Sequence, residues 1–184
     1  MSCIIGVVNK NKVYMACDSQ YTTSTVKFYS SNDYNKVFRS GEFLIGICGS
    51  PRMISLLRFQ LNVKTQLSEQ SDLEYMNTTF IENVRGLFLN KGFVGSFQDG
   101  TQKGGVFLVG YRGRIYRVAD DFQILSLDGN IFGVGSGSEF ALPAFSALDG
   151  LAMKTKDKLR IAVLSAEKYD PYSGGDIHIE EMEF

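Results

Sequence analysis

The fold is decided by the segment MSCIIGVVNKNKVYMACD, residues 1–18. Two short apolar runs, Cys3 to Val8 and Val13 to Asp18, flank a polar tetrapeptide, and this pattern predicts a β-hairpin. A small hydroxyl residue, Ser2, immediately precedes the first run, and a carboxylate ends the second. Lys36 follows within Asn35-Lys36-Val37. The N-terminal part of the chain therefore contains a hydroxyl, a carboxylate and an ammonium group.

These three groups suit an enzyme that uses its own N-terminus. A serine hydroxyl is a weak nucleophile until a base takes its proton, and a free α-amine on the same residue can do so because its pKa lies near neutrality. A nearby lysine ammonium lowers the proton affinity of both groups, and a buried aspartate keeps that lysine charged and oriented. Ser2, Lys36 and Asp18 fit these three roles.

The only histidine, His178, lies near the C-terminus in an alternating stretch that is typical of a strand. We interpret it as a structural or surface residue, which argues against a Ser-His-Asp hydrolase. The cysteines Cys3, Cys17 and Cys48 are odd in number and lack CxxC spacing. We interpret them as buried free thiols, and the sequence predicts neither a metal site nor a cofactor.

Length and composition predict one soluble domain over residues 1–184, with 44% hydrophobic and 21% charged residues. A formal net charge of −1 gives no general attraction to nucleic acid or to anionic membranes, so neither is an expected partner. No apolar run approaches the length of a bilayer span, and residues 2–8 lack the basic start of a signal peptide. We therefore expect a cytoplasmic protein.

The rest of the chain alternates between strand and helix patterns. Further strands are predicted at Thr22 to Tyr29, Lys36 to Arg39, Phe43 to Cys48, Gly105 to Gly110, Arg114 to Val118, Gln123 to Leu127, Ile131 to Val134 and Asp176 to Met182. Four helices are predicted: one that starts at Pro51, one from Ser71 to about Leu89, one that follows Gly135-Ser136-Gly137-Ser138 and ends at Ala147, and one from about Lys156 to Tyr169. This order predicts an α+β fold, a four-layer αββα sandwich of two antiparallel sheets flanked by helix pairs.

Six segments, taken in order, match the pattern of a known family. They are Ser2-Cys3-Ile4-Ile5, Ala16-Cys17-Asp18-Ser19-Gln20, Asn35-Lys36-Val37, Gly46-Ile47-Cys48-Gly49-Ser50, Gly135-Ser136-Gly137-Ser138 and Asp170-Pro171-Tyr172-Ser173-Gly174-Gly175. In these segments the chain resembles proteasome β-type subunits and the bacterial HslV-type peptidase, which are N-terminal nucleophile hydrolases. The resemblance extends over nearly the whole chain, and the last segment is the most specific.

The resemblance implies a role for each matched residue. Ser2 would be the nucleophile and its α-amine the general base, with Lys36 tuning both and Asp18 as its partner. The backbone N–H of Gly49 would hold the developing oxyanion. The residues expected to hydrogen-bond around the α-amine and position it are Ser136, Asp170 and Ser173.

The resemblance also locates the expected substrate site. The first side-chain pocket would be lined by Tyr21, Tyr34, Phe38, Ile47 and Pro51. Because these residues are mostly apolar or aromatic, an apolar substrate side chain is expected, although ordinary core packing explains them equally well. Thr22 and Thr23 would lie along an edge where an extended peptide adds as a strand.

The chain departs from the family at its N-terminus. Serine replaces the usual threonine, so the methyl group that restricts the side-chain rotamer is lost and slower turnover is expected. Only Met1 precedes Ser2, so activation is expected to depend on removal of that methionine. Cys3 is the better intrinsic nucleophile, but its side chain should point to the opposite face of the strand, and we assign it to core packing.

Three functions remain open at this point. The leading hypothesis is a cytoplasmic peptidase that acts on unfolded polypeptide through an acyl-enzyme on Ser2, within a homo-oligomeric ring and with a possible ATP-dependent unfoldase as partner. The second is a catalytically inactive ring or scaffold subunit that retains Met1. The third is a small-amide hydrolase of the same fold.

Overall fold

Strands and helices follow one another in the predicted order. The computed structural model describes residues 2–23, 25–31, 33–96, 102–126 and 129–184. Its strands are β1 (Ile4–Asn9), β2 (Lys12–Cys17), β3 (Gln20–Thr23), β4 (Val26–Tyr29), β5 (Val37–Ser40), β6 (Phe43–Ile47), β7 (Gly95–Ser96), β8 (Gln102–Lys103), β9 (Phe107–Tyr111), β10 (Arg114–Val118), β11 (Ile124–Ser126), β12 (Ile131–Val134) and β13 (His178–Glu183). Its helices are α1 (Pro51–Phe59), α2 (Asp72–Tyr75), the π-helical segment Met76–Phe80, α3 (Ile81–Asn90), α4 (Ser138–Ala147) and α5 (Thr155–Tyr169).

The two main sheets are antiparallel and stack face to face. One has four strands in the order β12-β1-β2-β13, and the other has five in the order β11-β10-β9-β6-β5. One hydrophobic cluster lies between the sheets, a second between the five-stranded sheet and helices α1 to α3, and a third between the four-stranded sheet and helices α4 and α5. The predicted four-layer αββα sandwich is therefore confirmed.

Strand β1 shows how the sandwich separates its layers. Successive side chains of a strand point to opposite faces, and here Ile4 enters the cluster between the sheets whereas Ile5 enters the cluster beneath α4 and α5. Cys3 also belongs to the cluster beneath α4 and α5. Its thiol is therefore committed to the helical side of the sheet, as the alternation of the sequence predicts.

Two parts of the chain differ from the sequence prediction. The predicted strand Thr22 to Tyr29 is a hairpin, in which Thr22 of β3 pairs with Lys27 of β4; Ser24 lies outside the described residues. The predicted helix from Ser71 begins as expected, because the Ser71 hydroxyl accepts the Glu74 N–H at 3.2 Å. That helix then passes through the π-helical segment before α3. Leu127, in the predicted edge strand, also lies outside the described residues.

Glycines allow the two sheets to approach closely. A Cβ atom added at Gly46 of β6 would lie 2.7 Å from Ile4 Cγ2 and 3.2 Å from Met15 Sδ, across the space between the sheets. A Cβ at Gly110 of β9 would lie 2.9 Å from Val13 Cγ1. Both distances to carbon are shorter than van der Waals contact, so these positions exclude a larger side chain at the present sheet spacing.

A pair of glycine-to-alanine variants tests this spacing. Gly46→Ala should lower the free energy of unfolding by about 1–3 kcal/mol, because the added methyl group overpacks the space between the sheets. Gly86→Ala, in α3, should raise it by about 0.5–1 kcal/mol, since alanine favours helix and a Cβ there meets nothing within 4 Å. Urea denaturation measures both changes, and equal effects of the two variants would contradict this account of the sheet contact.

Candidate active site

A fully buried ion pair joins β2 to the segment before β5. Lys36 Nζ lies 2.9 Å from Asp18 Oδ1, and both side chains are 0% exposed. The ammonium also donates to the carbonyl oxygen of Gln20 at 2.5 Å and lies 4.8 Å from the centre of the Tyr21 ring. A carboxylate, a carbonyl and an aromatic face therefore replace the water around this cation.

The Asp18 carboxylate accepts three backbone hydrogen bonds in addition to the one from Lys36. Its Oδ1 accepts the Cys3 N–H at 2.8 Å, and its Oδ2 accepts the N–H groups of Gln20 at 3.0 Å and Gly174 at 3.2 Å. An ionised carboxylate offers about four acceptor positions, so this one is fully used. Asp18 thus connects the N-terminal strand, Lys36 and the loop after α5.

Ser2 is 1% exposed and is held through its backbone. Its carbonyl oxygen accepts the Gly137 N–H at 3.1 Å. A Cβ at Gly135 (φ +90°) would lie 2.1 Å from that oxygen, and one at Gly137 would lie 2.6 Å from Cys3 Cβ. The glycines that the sequence singled out at 135–138 are therefore needed for the loop to lie against the N-terminal strand.

Asp170, immediately after α5, accepts hydrogen bonds from two hydroxyl groups. Its Oδ2 accepts from Ser136 Oγ at 2.9 Å and from Ser173 Oγ at 2.6 Å, while its Oδ1 accepts the Tyr172 N–H at 3.2 Å. Asp170 and Ser173 are both 4% exposed. A Cβ at Gly137 would lie 2.4 Å from Ser173 Oγ, so this cluster borders the loop that binds the Ser2 carbonyl.

Gly49 lies in the short connection between β6 and α1. Its φ of +99° is one that side-chain-bearing residues rarely adopt, and a Cβ there would meet nothing within 4 Å. The preceding residue, Cys48, lies beside Gly135, because Cys48 Cβ would be 3.2 Å from a Cβ at that glycine. The connection thus comes close to the loop that holds Ser2, with open space over Gly49.

The residues predicted to line the substrate pocket lie on the side of the five-stranded sheet that faces α1. Phe38 and Ile47 belong to the cluster under that helix, and Tyr21 and Tyr34 pack against it. The Tyr34 hydroxyl donates to the Pro51 carbonyl oxygen at 2.8 Å. All five predicted lining residues therefore share one packed region.

The two threonines predicted to bind the peptide backbone lie on β3. Thr22 is half-buried and Thr23 is exposed. Strand β3 pairs with β4 in a separate two-stranded sheet. Among the residues that the structure describes, no other strand pairs with β3, and the Gln20 N–H at its start donates to the Gly174 carbonyl oxygen at 2.9 Å.

Two contributing residues were missed by the sequence analysis. Gln20 Nε2 donates to the Pro171 carbonyl oxygen at 2.9 Å and so joins β3 to the loop after α5. Arg58 of α1 donates to the carbonyl oxygens of Asp33, at 3.3 Å, and Asn35, and its guanidinium carbon lies 4.3 Å from the Phe38 ring centre. Burial lowers the pKa of this guanidinium. In the sequence, Arg58 is distinguished only as a charged residue within a mostly apolar stretch of the predicted helix.

Burial disfavours the thiolate form of Cys3 and Cys17. Cys3, Cys17 and Cys48 are unpaired by disulfide, and burial raises the pKa of the Cys17 thiol to about 12. Burial also raises the pKa of the Cys3 thiol far above its usual range, with Asp18 adding to the effect. Because the thiolate is the reactive form, this burial makes both thiols poor nucleophiles at neutral pH.

Neither a membrane span nor a metal-binding cluster is seen in the described part of the chain. No helix there is long and apolar enough to cross a bilayer. Within the same residues, no group of three or more histidine, cysteine, aspartate or glutamate side chains is arranged to hold a metal ion.

Comparisons with known proteins agree with the fold. A family model described as "Proteasome subunit" matches residues 2–182. The structure of BPH from Thiobacillus denitrificans in complex with epoxomicin is similar, with a TM-score of 0.80 and 18% identity, covering 98% of each chain. Eukaryotic HslV from Trypanosoma brucei is similar with a TM-score of 0.68 and 20% identity, covering 99% of each chain. No curated protein matches the chain by sequence.

Removal of the Lys36 ammonium tests how strongly the site depends on the buried pair. Lys36→Met should lower the free energy of unfolding by about 3–5 kcal/mol, because it leaves the Asp18 carboxylate buried without its counter-ion. Lys27→Met, on the exposed strand β4, is the matched control and should change it by less than about 0.5 kcal/mol. Urea denaturation of both variants gives the comparison, and a small effect of Lys36→Met would show that Asp18 does not depend on this partner.

Proposed function

The chain belongs to the proteasome subunit family, and from this premise we propose that it is a peptidase that cleaves unfolded polypeptides through an acyl-enzyme on Ser2. One observation carries the proposal: a single buried carboxylate, Asp18, binds both the Lys36 ammonium and the N–H of the residue after Ser2. This arrangement fixes a positive charge beside the N-terminal residue.

The proposed reaction begins when removal of Met1, which lies outside the described residues, frees the Ser2 α-amine. The amine takes the proton from Ser2 Oγ as that oxygen attacks the peptide carbonyl carbon. The Gly49 N–H stabilises the resulting oxyanion. The amine then gives its proton to the leaving nitrogen, the C–N bond breaks, and an ester to Ser2 remains.

Water completes the proposed cycle. The α-amine takes a proton from a water molecule, the hydroxide attacks the ester carbonyl, and Ser2 Oγ leaves with a proton as the acid product departs. The positive charge of Lys36 stabilises the negative charge that develops on oxygen in both attacks, and Asp18 holds Lys36 in place. Ser136, Asp170 and Ser173 position the amine through the hydroxyl–carboxylate cluster. Each step uses groups of this chain and water, with no metal or cofactor assigned a role.

The proposed substrate is an extended peptide added to the second edge of β3. Thr22 and Thr23 would lie along this edge, where alternate residues exchange backbone hydrogen bonds with the added strand. The side chain before the cleaved bond would enter the region lined by Tyr21, Tyr34, Phe38, Ile47 and Pro51. We propose a preference for apolar side chains, since this region packs on the cluster under α1.

We also propose a cytoplasmic homo-oligomeric ring, with an ATP-dependent unfoldase as a possible partner. The similarity to HslV and to BPH supports assembly, because proteins of this family typically form oligomeric rings. A ring would restrict access to Ser2 to unfolded chains.

We propose as the second candidate a ring or scaffold subunit that retains Met1 and has no catalytic activity, because the Ser2 nitrogen is acylated for as long as Met1 is attached. The peptidase and the scaffold differ in the chemical state of the Ser2 nitrogen, which is an amine in one and an amide in the other.

Hydrolysis of fluorogenic peptides by Ser2 variants tests the peptidase. The wild-type chain should cleave peptides with a large apolar residue before the reporter group, and Ser2→Ala should reduce kcat/KM about 1,000-fold or more. Ser2→Thr should equal or exceed the wild type, because the added methyl group restricts the side-chain rotamer. Ser146→Ala, on the exposed face of α4, is the control and should leave the rate unchanged.

The other outcomes identify the alternatives. Equal activity of Ser2→Ala and wild type would exclude Ser2 as the nucleophile. Absence of peptide cleavage in a wild-type sample that keeps Met1 would identify the scaffold subunit. Cleavage of small amides alone would identify the third hypothesis from the sequence.

A further inference from the structure

Gln20 of β3 carries a buried amide to which the proposed reaction gives no role. The residue is 1% exposed, which leaves its side chain no surface for a peptide substrate. An amide is costly to bury unless its polar atoms are hydrogen-bonded. Both N–H groups of Gln20 Nε2 have an acceptor, because Nε2 lies 2.9 Å from Thr22 Oγ1 and 2.9 Å from the Pro171 carbonyl oxygen. The amide therefore links the strand proposed to bind the peptide to the loop after α5.

The peptide group between Pro171 and Tyr172 is held at both of its ends. Its carbonyl oxygen accepts from Gln20 Nε2, and its N–H donates to Asp170 Oδ1 at 3.2 Å. A peptide group is planar, with the carbonyl and the N–H on opposite sides, so the direction of one fixes the direction of the other. Gln20 thus orients the donor that binds one oxygen of the Asp170 carboxylate.

The other oxygen of that carboxylate binds the two hydroxyl groups of the cluster. Asp170 Oδ2 accepts from Ser136 Oγ at 2.9 Å and from Ser173 Oγ at 2.6 Å. Because a carboxylate is planar and rigid, a rotation that follows the Tyr172 N–H moves both oxygens together. Consecutive hydrogen bonds of this kind also polarise one another. The position of the Gln20 amide is therefore transmitted to the hydroxyls proposed to position the α-amine.

The backbone of Gln20 serves the opposite half of the candidate site. Its N–H donates to Asp18 Oδ2 at 3.0 Å and to the Gly174 carbonyl oxygen at 2.9 Å. Its carbonyl oxygen accepts from the Lys36 ammonium at 2.5 Å. One residue thus binds the Asp18–Lys36 pair through its backbone and the loop that carries Ser173 through its side chain.

We propose that Gln20 is a positioning residue that aligns the Asp170 cluster with the Asp18–Lys36 pair around Ser2. This role rests on the proposed peptidase function and involves no contact with the substrate. The effect of Gln20 passes through Asp170 to Ser136 and Ser173. Loss of its side-chain link should therefore slow the chemical step and leave the binding of the peptide nearly unchanged.

Two substitutions break this link from its two sides. Gln20→Met has a similar length but no donor. Gly174→Ala keeps Gln20 but displaces its amide, because a Cβ at Gly174 would lie 2.7 Å from Gln20 Oε1 and would meet no other residue within 4 Å. Each variant should lower kcat about 10- to 100-fold, which is the cost of displacing a catalytic group by about 1 Å, with KM changed less than about threefold.

Matched controls and a count of working sites separate this effect from a loss of folded protein. Gln123→Met, at an exposed glutamine before β11, and Gly86→Ala, in α3 of the other helical layer, should keep wild-type kinetics. Titration with a peptide epoxyketone counts the sites that have a free α-amine and hydroxyl, and kcat is expressed per titrated site. Circular dichroism checks that each variant is folded, and Gly174→Ala decides the outcome if Gln20→Met does not fold.

Two substrates distinguish positioning from a role confined to β3. A tetrapeptide amide extends along β3, whereas an acetylated single-residue amide with the same apolar side chain does not. A positioning residue lowers kcat by the same factor for both substrates. A rise in KM for the tetrapeptide alone, or wild-type kcat per site in the folded variants, would overturn this role and leave the peptidase standing. Absence of hydrolysis by the wild type would overturn the proposed function and this role together.

Discussion

The structure depends on one buried carboxylate. Asp18 has no exposed surface and would be strongly destabilising there without partners. It accepts one hydrogen bond from the Lys36 ammonium and three from backbone N–H groups, so every acceptor position is occupied. These partners belong to the N-terminal strand, to β3, to the segment before β5 and to the loop after α5. A single desolvated charge therefore holds together the parts of the chain that surround Ser2.

The second constraint is steric and comes from the loop at residues 135–138. This loop lies so close to Ser2 and Cys3 that any side chain at Gly135 or Gly137 would overlap backbone or side-chain atoms. The Asp170 carboxylate accepts hydrogen bonds from the Ser136 hydroxyl of this loop and from the Ser173 hydroxyl. Asp170 directly follows α5, so the end of this helix holds the cluster in place.

The sequence allowed much of this arrangement to be predicted, for identifiable physical reasons. Short apolar runs flanked by polar turn residues located β1, β2 and β6, because most residues on both faces of these strands are buried. The capping box at Ser71 located the start of a helix. The β3–β4 hairpin was missed, since threonine and aromatic residues favour strand on both sides of the turn and no glycine marks it. Arg58 and the Gly174 contact with Asp18 were missed because they depend on tertiary packing between segments far apart in sequence.

The central claim is that Ser2 acts with its own free α-amine, and one measurement tests it most directly. A peptide epoxyketone forms a stable ring only with a hydroxyl and a free amine on the same residue, and the intact mass of the protein before and after exposure reports both conditions. We predict the loss of one methionine and then a single adduct, which is absent in Ser2→Ala. Retention of Met1 with no adduct would contradict the claim and identify the chain as an inactive subunit of its family.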